Sequence, residues 1–377
     1  MTRVRIDRET TSSTAELIEV MTAAAARAGA AAVPPTVLTE RADVLVLRVG
    51  AVVVKAHPAE TDAAALLSRL RLASTPLTHG ILLPPLPIGD ALHTHAAGRT
   101  ITAWRYGEPV DPDDPDAAPW EAAATLLARL HALPRAGDPL LARLHPPPGH
   151  DLPEAGDPLL PRLHPPPGHD LPEAGDPLLP RLHPPPGHDL PEAGGPARVH
   201  RAMRRLREAE VTDRAAETVV CQAFAVLPES FAAAPESAGL PESAAPRRTL
   251  VHGDFHLGQL VRADRADAGR WRLIDIDDLG SGDPAWDLAR PAALFAAGIL
   301  EPVTWLRFLD AYRAAGGVAV PREGDEWIAL DTPARAVAVQ AAALALVAAA
   351  REKRELDDLD TALVDACRRI ATASVIS

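Results

Sequence analysis

The chain has 377 residues, 47% apolar and 24% charged, which is enough for two lobes with sizeable cores. Its 38 lysines and arginines against 51 aspartates and glutamates leave a net charge of −13, which argues against a nucleic-acid partner and is compatible with a cationic small substrate. Cys221 and Cys367 are too few and too far apart for a disulfide framework or a zinc site, and no signal-like start or membrane-length apolar run occurs, so the expected setting is the cytoplasm with no membrane partner.

Residues 12–30 read as an alanine-rich helix opened by Ser12, Ser13 or Thr14. Val37–His57 is rich in β-branched residues and turns at Gly50, which predicts a hairpin. Residues 60–72 carry Leu66, Leu67 and Leu70 on one helical face, and short strands follow near 90–95 and 99–105. These elements make an α+β lobe over residues 1–104. The proline-rich connector Arg105–Asp116 leads into a second lobe, 105–377, that is mostly helical. Its first helix, over 118–133, aligns Leu126, Leu127, Leu130 and Leu133 as a core stripe.

Residues 140–196 repeat a 19-residue unit three times, L-L-P-R-L-H-P-P-P-G-H-D-L-P-E-A-G-D-P with small departures. Proline is too frequent there for helix or sheet interior, and few apolar groups remain to pack, so the repeat reads as a polyproline-like or disordered insertion. Helices are expected again over 197–232, 285–315 and 325–374, and the apolar stretch Ala334–Ala350 reads as a buried helix.

The chemistry concentrates in two stretches. H-G-D-F-H-L-G-Q, His252 to Gln259, lies between two apolar pairs. W-R-L-I-D-I-D-D, from Trp271, delivers Asp275 at the end of another apolar run. Acids at strand ends are held rigidly by the sheet and opened to solvent by the loop. Asp254 and Asp275, 21 residues apart, suit phosphoryl transfer, one meeting an attacking hydroxyl and the other holding magnesium on phosphates. Lys55 ends its own strand, V-V-V-K, where it is a point charge able to reach α- and β-phosphate oxygens. It is one of only two lysines, and the chain has no asparagine.

With H-G-D-x-x-x-x-[NQ], then I-D, then G-D-P-x-x-D-L-A, the chain resembles the aminoglycoside phosphotransferase family, small-molecule kinases that share the protein-kinase fold. The H-G-D-x-H-L-G-Q form is similar to the maltokinase and glucosamine-kinase branch, and L-A-R-L-H-A-L (127–133) adds weaker similarity. The resemblance implies a two-lobed fold with ATP and Mg2+ as cofactors. The acceptor would be a hydroxyl of a small polar molecule such as an aminoglycoside or amino sugar. It implies Asp254 as catalytic base, Gln259 and Asp275 as magnesium ligands, and Lys55 on the phosphates. His252, Asp283 and Asp287 would brace the catalytic loop. A hinge at Trp104–Gly107, with Trp104 and Tyr106, would offer backbone groups to adenine. The acid expected to pair with Lys55 would sit on the following helix, where Glu60 is the candidate.

Two other functions draw on the same residues. A metal-dependent phosphoesterase built on His252 and His256 needs further ligand clusters on other strand ends. A catalytically silent nucleotide-binding protein could tolerate loss of Asp254, Asp275 or Lys55, and all three are present. A protein kinase is disfavoured because H-G-D stands for H-R-D and no A-P-E segment follows.

Overall fold

The computed structural model describes residues 3–41, 43–133, 190–228, 248–262 and 270–373. Most of the tandem repeat, up to Asp189, lies outside the described residues.

The chain opens with α1 (Arg3–Arg27). It begins well before the Ser12–Thr14 caps expected for it, so these residues lie inside the helix. Leu17, Met21, Ala24 and Ala25 recur at helical spacing and bury against a sheet built from β1 (Thr36–Glu40), β2 (Leu45–Val49), β3 (Val52–Ala56), β4 (Pro85–Leu86), β5 (His93–Ala96) and β6 (Arg99–Arg105). The order is β1-β2-β3-β6-β4, with β5 also on β6, and every pairing is antiparallel. The period-2 alternation of β3 buries Val52, Val54 and Ala56 under α1. Lys55 therefore points to the opposite face, opposite Val46 of β2 and Thr102 of β6.

Helix α2 (Ala63–Ala73) follows β3, its first turn capped by the Asp62 carboxylate, which accepts the N–H groups of Ala64 and Ala65. After β6 the chain forms β7 (Glu108–Pro109) and α3 (Trp120–His131), whose leucine stripe enters the main core as expected. The helical part continues with α4 (Gly195–Glu208) and α5 (Arg214–Ala225). Beyond the site strands come α6 (Ala285–Ala296), α7 (Pro302–Ala314), α8 (Trp327–Glu352) and α9 (Asp358–Ala373). Helix α8 is long and apolar enough to cross a membrane, but α4, α5, α6 and α9 pack against it and 12 of its residues are buried.

The end of the repeat departs from the expectation of an unstructured insertion. Ser281 donates its N–H to Pro191, and Ala193 donates to Ser281. Gly195 opens α4, where a Cβ would stand 3.1 Å from the Trp286 ring. The first two repeat copies have Asp157 and Asp176 at that position. The third copy thus differs where it must approach the protein.

Candidate active site

Four short strands carry the site. β8 (Thr249–Val251) pairs antiparallel with β11 (Gly280–Gly282), and β9 (Leu260–Arg262) pairs with β10 (Trp271–Leu273) and with β7. The loop His252–Gln259 therefore spans from β8 to β9, and the loop carrying Asp275 spans from β10 to β11. Ile274 donates its N–H to the Gln259 carbonyl, so the loops run side by side.

Asp287 of α6 holds the first loop from below. Its carboxylate is fully buried and accepts the backbone N–H of His252 (2.7 Å), that of Gly253 (2.8 Å) and Nε2 of His131 (2.9 Å). The proton positions follow from the partners. The Tyr312 hydroxyl oxygen already accepts the N–H groups of Val318 and Ala319, so its own proton goes to His131 Nδ1 at 2.7 Å. Nε2 of His131 is then the donor to Asp287. Burial by itself would raise the Asp287 carboxyl, but the bond from His131 and its neighbours hold it below the usual carboxylate range. His252 links the loops: its Nε2 donates to the Ile274 carbonyl at 2.8 Å, because a carbonyl can only accept. Asp283 does not join this brace. Among its described bonds it accepts the Ala285 N–H at the start of α6, so its contribution is to the helix and not to the loop.

Asp275 adopts a left-handed backbone (φ 60°), a conformation found mostly in glycine and tolerated by aspartate, of the kind that clusters at functional sites. Its Oδ1 meets Lys55 Nζ at 2.7 Å, and its Oδ2 lies 3.5 Å from Gln259 Nε2. A second carboxylate, Asp277, reaches Lys55 at 2.8 Å and has His57 Nδ1 3.3 Å from its other oxygen. Burial would lower the Lys55 ammonium, yet the two carboxylates hold it well above the ordinary lysine value. Burial would raise Asp277, yet Lys55 and His57 hold it well below the carboxylate range.

Glu60 is therefore not the partner of Lys55. It lies exposed in the turn after β3, before α2 begins. No acid occurs within α2. This helix presents Arg69 instead, whose Nε donates to the Leu279 carbonyl at 2.7 Å. The counter-charge to Lys55 comes from the loop after β10.

The hinge also differs from expectation. Trp104 pairs with Val53 and Pro85 in the sheet and donates from Nε1 to Thr102. The Tyr106 N–H is bonded to the Ala51 carbonyl at 2.8 Å, and its ring lies under the Arg48 guanidinium at 3.5 Å. That backbone donor is thus already taken within the sheet.

Asp254 is held from both sides. Arg198 of α4 reaches its Oδ2 at 2.7 Å, and Arg290 of α6 its Oδ1 at 3.3 Å. Burial raises its carboxyl above the usual range, against the pull of the two guanidiniums. Arg198 also reaches Asp278 at 2.5 Å, and Arg201 lies 3.5 Å from the same carboxylate. Asp278 occupies a cradle that only glycine can form. A Cβ on Gly253 (φ +81°) would lie 2.3 Å from its carbonyl oxygen, and one on Gly194 would lie 1.8 Å from its Oδ1.

Sequence reasoning thus brought Lys55, Asp254, Gln259 and Asp275 to one site. It missed His131, Tyr312, Asp277, Arg198 and Arg290 as site residues. His131 sits in L-A-R-L-H-A-L, the one visible signal. Asp277 and Asp278 stand beside Asp275 in I-D-I-D-D, where the sequence allows one of them to assist metal or substrate binding but does not mark Asp277 as the partner of Lys55.

The donor set suits a hard cation bound largely through phosphates. Asp275 offers a carboxylate, and half a turn of the Gln259 amide brings its oxygen to the same side. Magnesium is commonly held by one or two such groups together with nucleotide oxygens. Among the described residues no cluster of three or more His, Cys, Asp or Glu could form a complete metal cage, which is what a phosphoesterase centre on His252 and His256 would need. His256 is occupied otherwise: its Nδ1 accepts the Gly258 N–H, and burial with nearby Arg290 pushes its ring down to about 4.

A sequence model described as the phosphotransferase enzyme family matches residues 37–327 of this chain. Among solved structures, similarity extends to the macrolide 2'-phosphotransferase MphH of Brachybacterium faecium (16% identity, 95% of this chain and 97% of that one, TM-score 0.42). It extends also to a choline/ethanolamine kinase family protein of Mesorhizobium loti (15% identity, 93% and 94%, TM-score 0.38). A thermostable mutant of the aminoglycoside phosphotransferase APH(4)-Ia is similar as well (13% identity, 92% and 96%, TM-score 0.49). No curated protein sequence matches.

Proposed function

We propose that this chain, which belongs to the phosphotransferase enzyme family of small-molecule kinases, transfers the γ-phosphoryl group of ATP to a hydroxyl of a small polar molecule. The observation that carries this reading is the Lys55–Asp275–Gln259 group, tied through His252 to the loop that presents Asp254.

In this reading Lys55 holds the α- and β-phosphate oxygens, and Asp277, itself beside His57, helps to position Lys55. Asp275 and the Gln259 amide oxygen would hold magnesium, which when bound neutralises charge on the phosphates. Asp254 accepts the proton of the acceptor hydroxyl. The new bond forms from that oxygen to the γ-phosphorus, and the bond from phosphorus to the bridging oxygen breaks, leaving ADP. Catalysis is mainly positioning and electrostatics, since phosphoryl transfer asks little covalent chemistry of the protein. The raised carboxyl of Asp254 makes it a stronger base than an exposed aspartate.

The motif likeness leads first to amino sugars and aminoglycosides as acceptors. The test is thermal shift of the full chain with ATP and magnesium added separately and together, followed by ADP release with candidate acceptors. Stabilisation that requires both additions supports the reading, and no stabilisation at saturating concentration defeats it. One observation favours a second reading, a nucleotide-binding protein without transfer: both oxygens of Asp254 are already engaged by arginines. Nucleotide binding without ADP release across a broad acceptor panel would favour it.

A further inference from the structure

The chain carries a net charge of −13, yet the surface around Asp254 is basic. Arg198, Arg201 and Arg205 recur at helical spacing along one face of α4. Two of them reach the loop acids: Arg198 touches Asp254 and Asp278, and Arg201 lies 3.5 Å from Asp278. Arg205 adds its charge beside Arg201. Arg290 also reaches Asp254, at 3.3 Å, and its Nε is buried with no hydrogen-bond partner among the described residues. Three guanidiniums thus meet two carboxylates, with the charge of Arg205 close behind them. A polycation entering here would be repelled. An anion would be attracted, and the side chains of Arg198, Arg201 and Arg290 are all partly exposed to receive it.

We infer that the acceptor carries an anionic group, a carboxylate or a phosphate ester, close to the hydroxyl that is phosphorylated, and that Arg198, Arg201 and Arg290 bind it. This rests on the phosphotransferase reading above and replaces the amino sugars and aminoglycosides to which the motif likeness leads with an anionic acceptor class. It also gives Asp254 a way to become available. An incoming anion takes over hydrogen bonds from Arg198 and Arg290, and the carboxylate oxygens are released toward the acceptor hydroxyl. Polycationic aminoglycosides are then poor acceptors, and sugar acids, hydroxy acids or sugar phosphates are the better class.

The full chain saturated with magnesium and a non-hydrolysable ATP analogue is titrated by thermal shift with malonate, with inorganic phosphate and with kanamycin. Malonate stands for a carboxylate source and phosphate for a phosphate ester. The expected result is stabilisation by one or both anions and none by kanamycin. The midpoint should move at least about tenfold higher in Arg290→Gln and in the more exposed Arg201→Gln, with nucleotide stabilisation unchanged in both. Turnover should then be faster with gluconate or glucose 6-phosphate than with glucosamine. Four results overturn the inference: no anion effect while nucleotide still stabilises, an anion effect indifferent to both variants, weaker nucleotide binding in the variants, or faster turnover with glucosamine or kanamycin. Absence of nucleotide stabilisation in the wild type is a different failure and removes the underlying reading.

Discussion

In one part of the site a single cation, Lys55, is held between two carboxylates; in another a single carboxylate, Asp254, is held between two guanidiniums. The arrangements are inverses, and burial acts on them differently. At Lys55 the two acids outweigh desolvation and the charge is held firmly. At Asp254 desolvation outweighs the two arginines and the carboxyl rises. A fixed positive charge suits a group that must bind phosphate without changing state. A carboxyl of raised affinity for protons suits a group that must take one. In the proposed reaction the first arrangement would serve as a clamp on phosphate and the second as a base.

The comparison breaks most sharply at its two centres. Asp254→Asn should lower kcat by roughly 10²–10⁴-fold while leaving magnesium-nucleotide stabilisation intact; full turnover in this variant would remove Asp254 as the base. The wild-type acid limb of kcat/KM should also lie above the ordinary aspartate value of about 3.9, reflecting the raised carboxyl. Asp287→Ala should destabilise the protein by about 3–5 kcal/mol, because three buried donors lose one acceptor. Its pH signature is directional. The depressed Asp287 carboxyl contributes stability above its unfolded value of about 4 and loses it as pH falls through the lower folded value. The wild-type and Ala unfolding curves should therefore converge in acid. Asp277→Asn should lower kcat/KM about 10- to 100-fold, largely through KM for ATP, since Lys55 loses one of its two anchors. Glu60→Gln should change neither rate nor melting temperature. An effect of Glu60 equal to that of Asp277 would return the lysine's partner to the turn before α2.

Much of this site was legible because its chemistry is local in sequence. H-G-D-F-H-L-G-Q packs Asp254, its brace point His252 and Gln259 into eight residues. The alternation of V-V-V-K dictates which face Lys55 takes. The helices followed from apolar periodicity, and the buried nature of α8 followed from Arg335 and Gln340 interrupting an otherwise apolar run. The expected partner for Lys55 failed for the complementary reason. Proximity along the chain favoured Glu60, but the sheet directs Lys55 to Asp275 and Asp277, more than 200 residues away.

The sequence by itself determined most element types and the family, because periodicity and motif spacing act over a few residues. Only the tertiary structure decided which charges meet. The two arginines on Asp254 come from α4 and α6, and the Tyr312–His131–Asp287 chain joins α7, α3 and α6. No local pattern links these positions. They become neighbours because burying the apolar faces of the helices in adjoining cores brings them there, and a desolvated charge or donor must find its partner wherever packing places one.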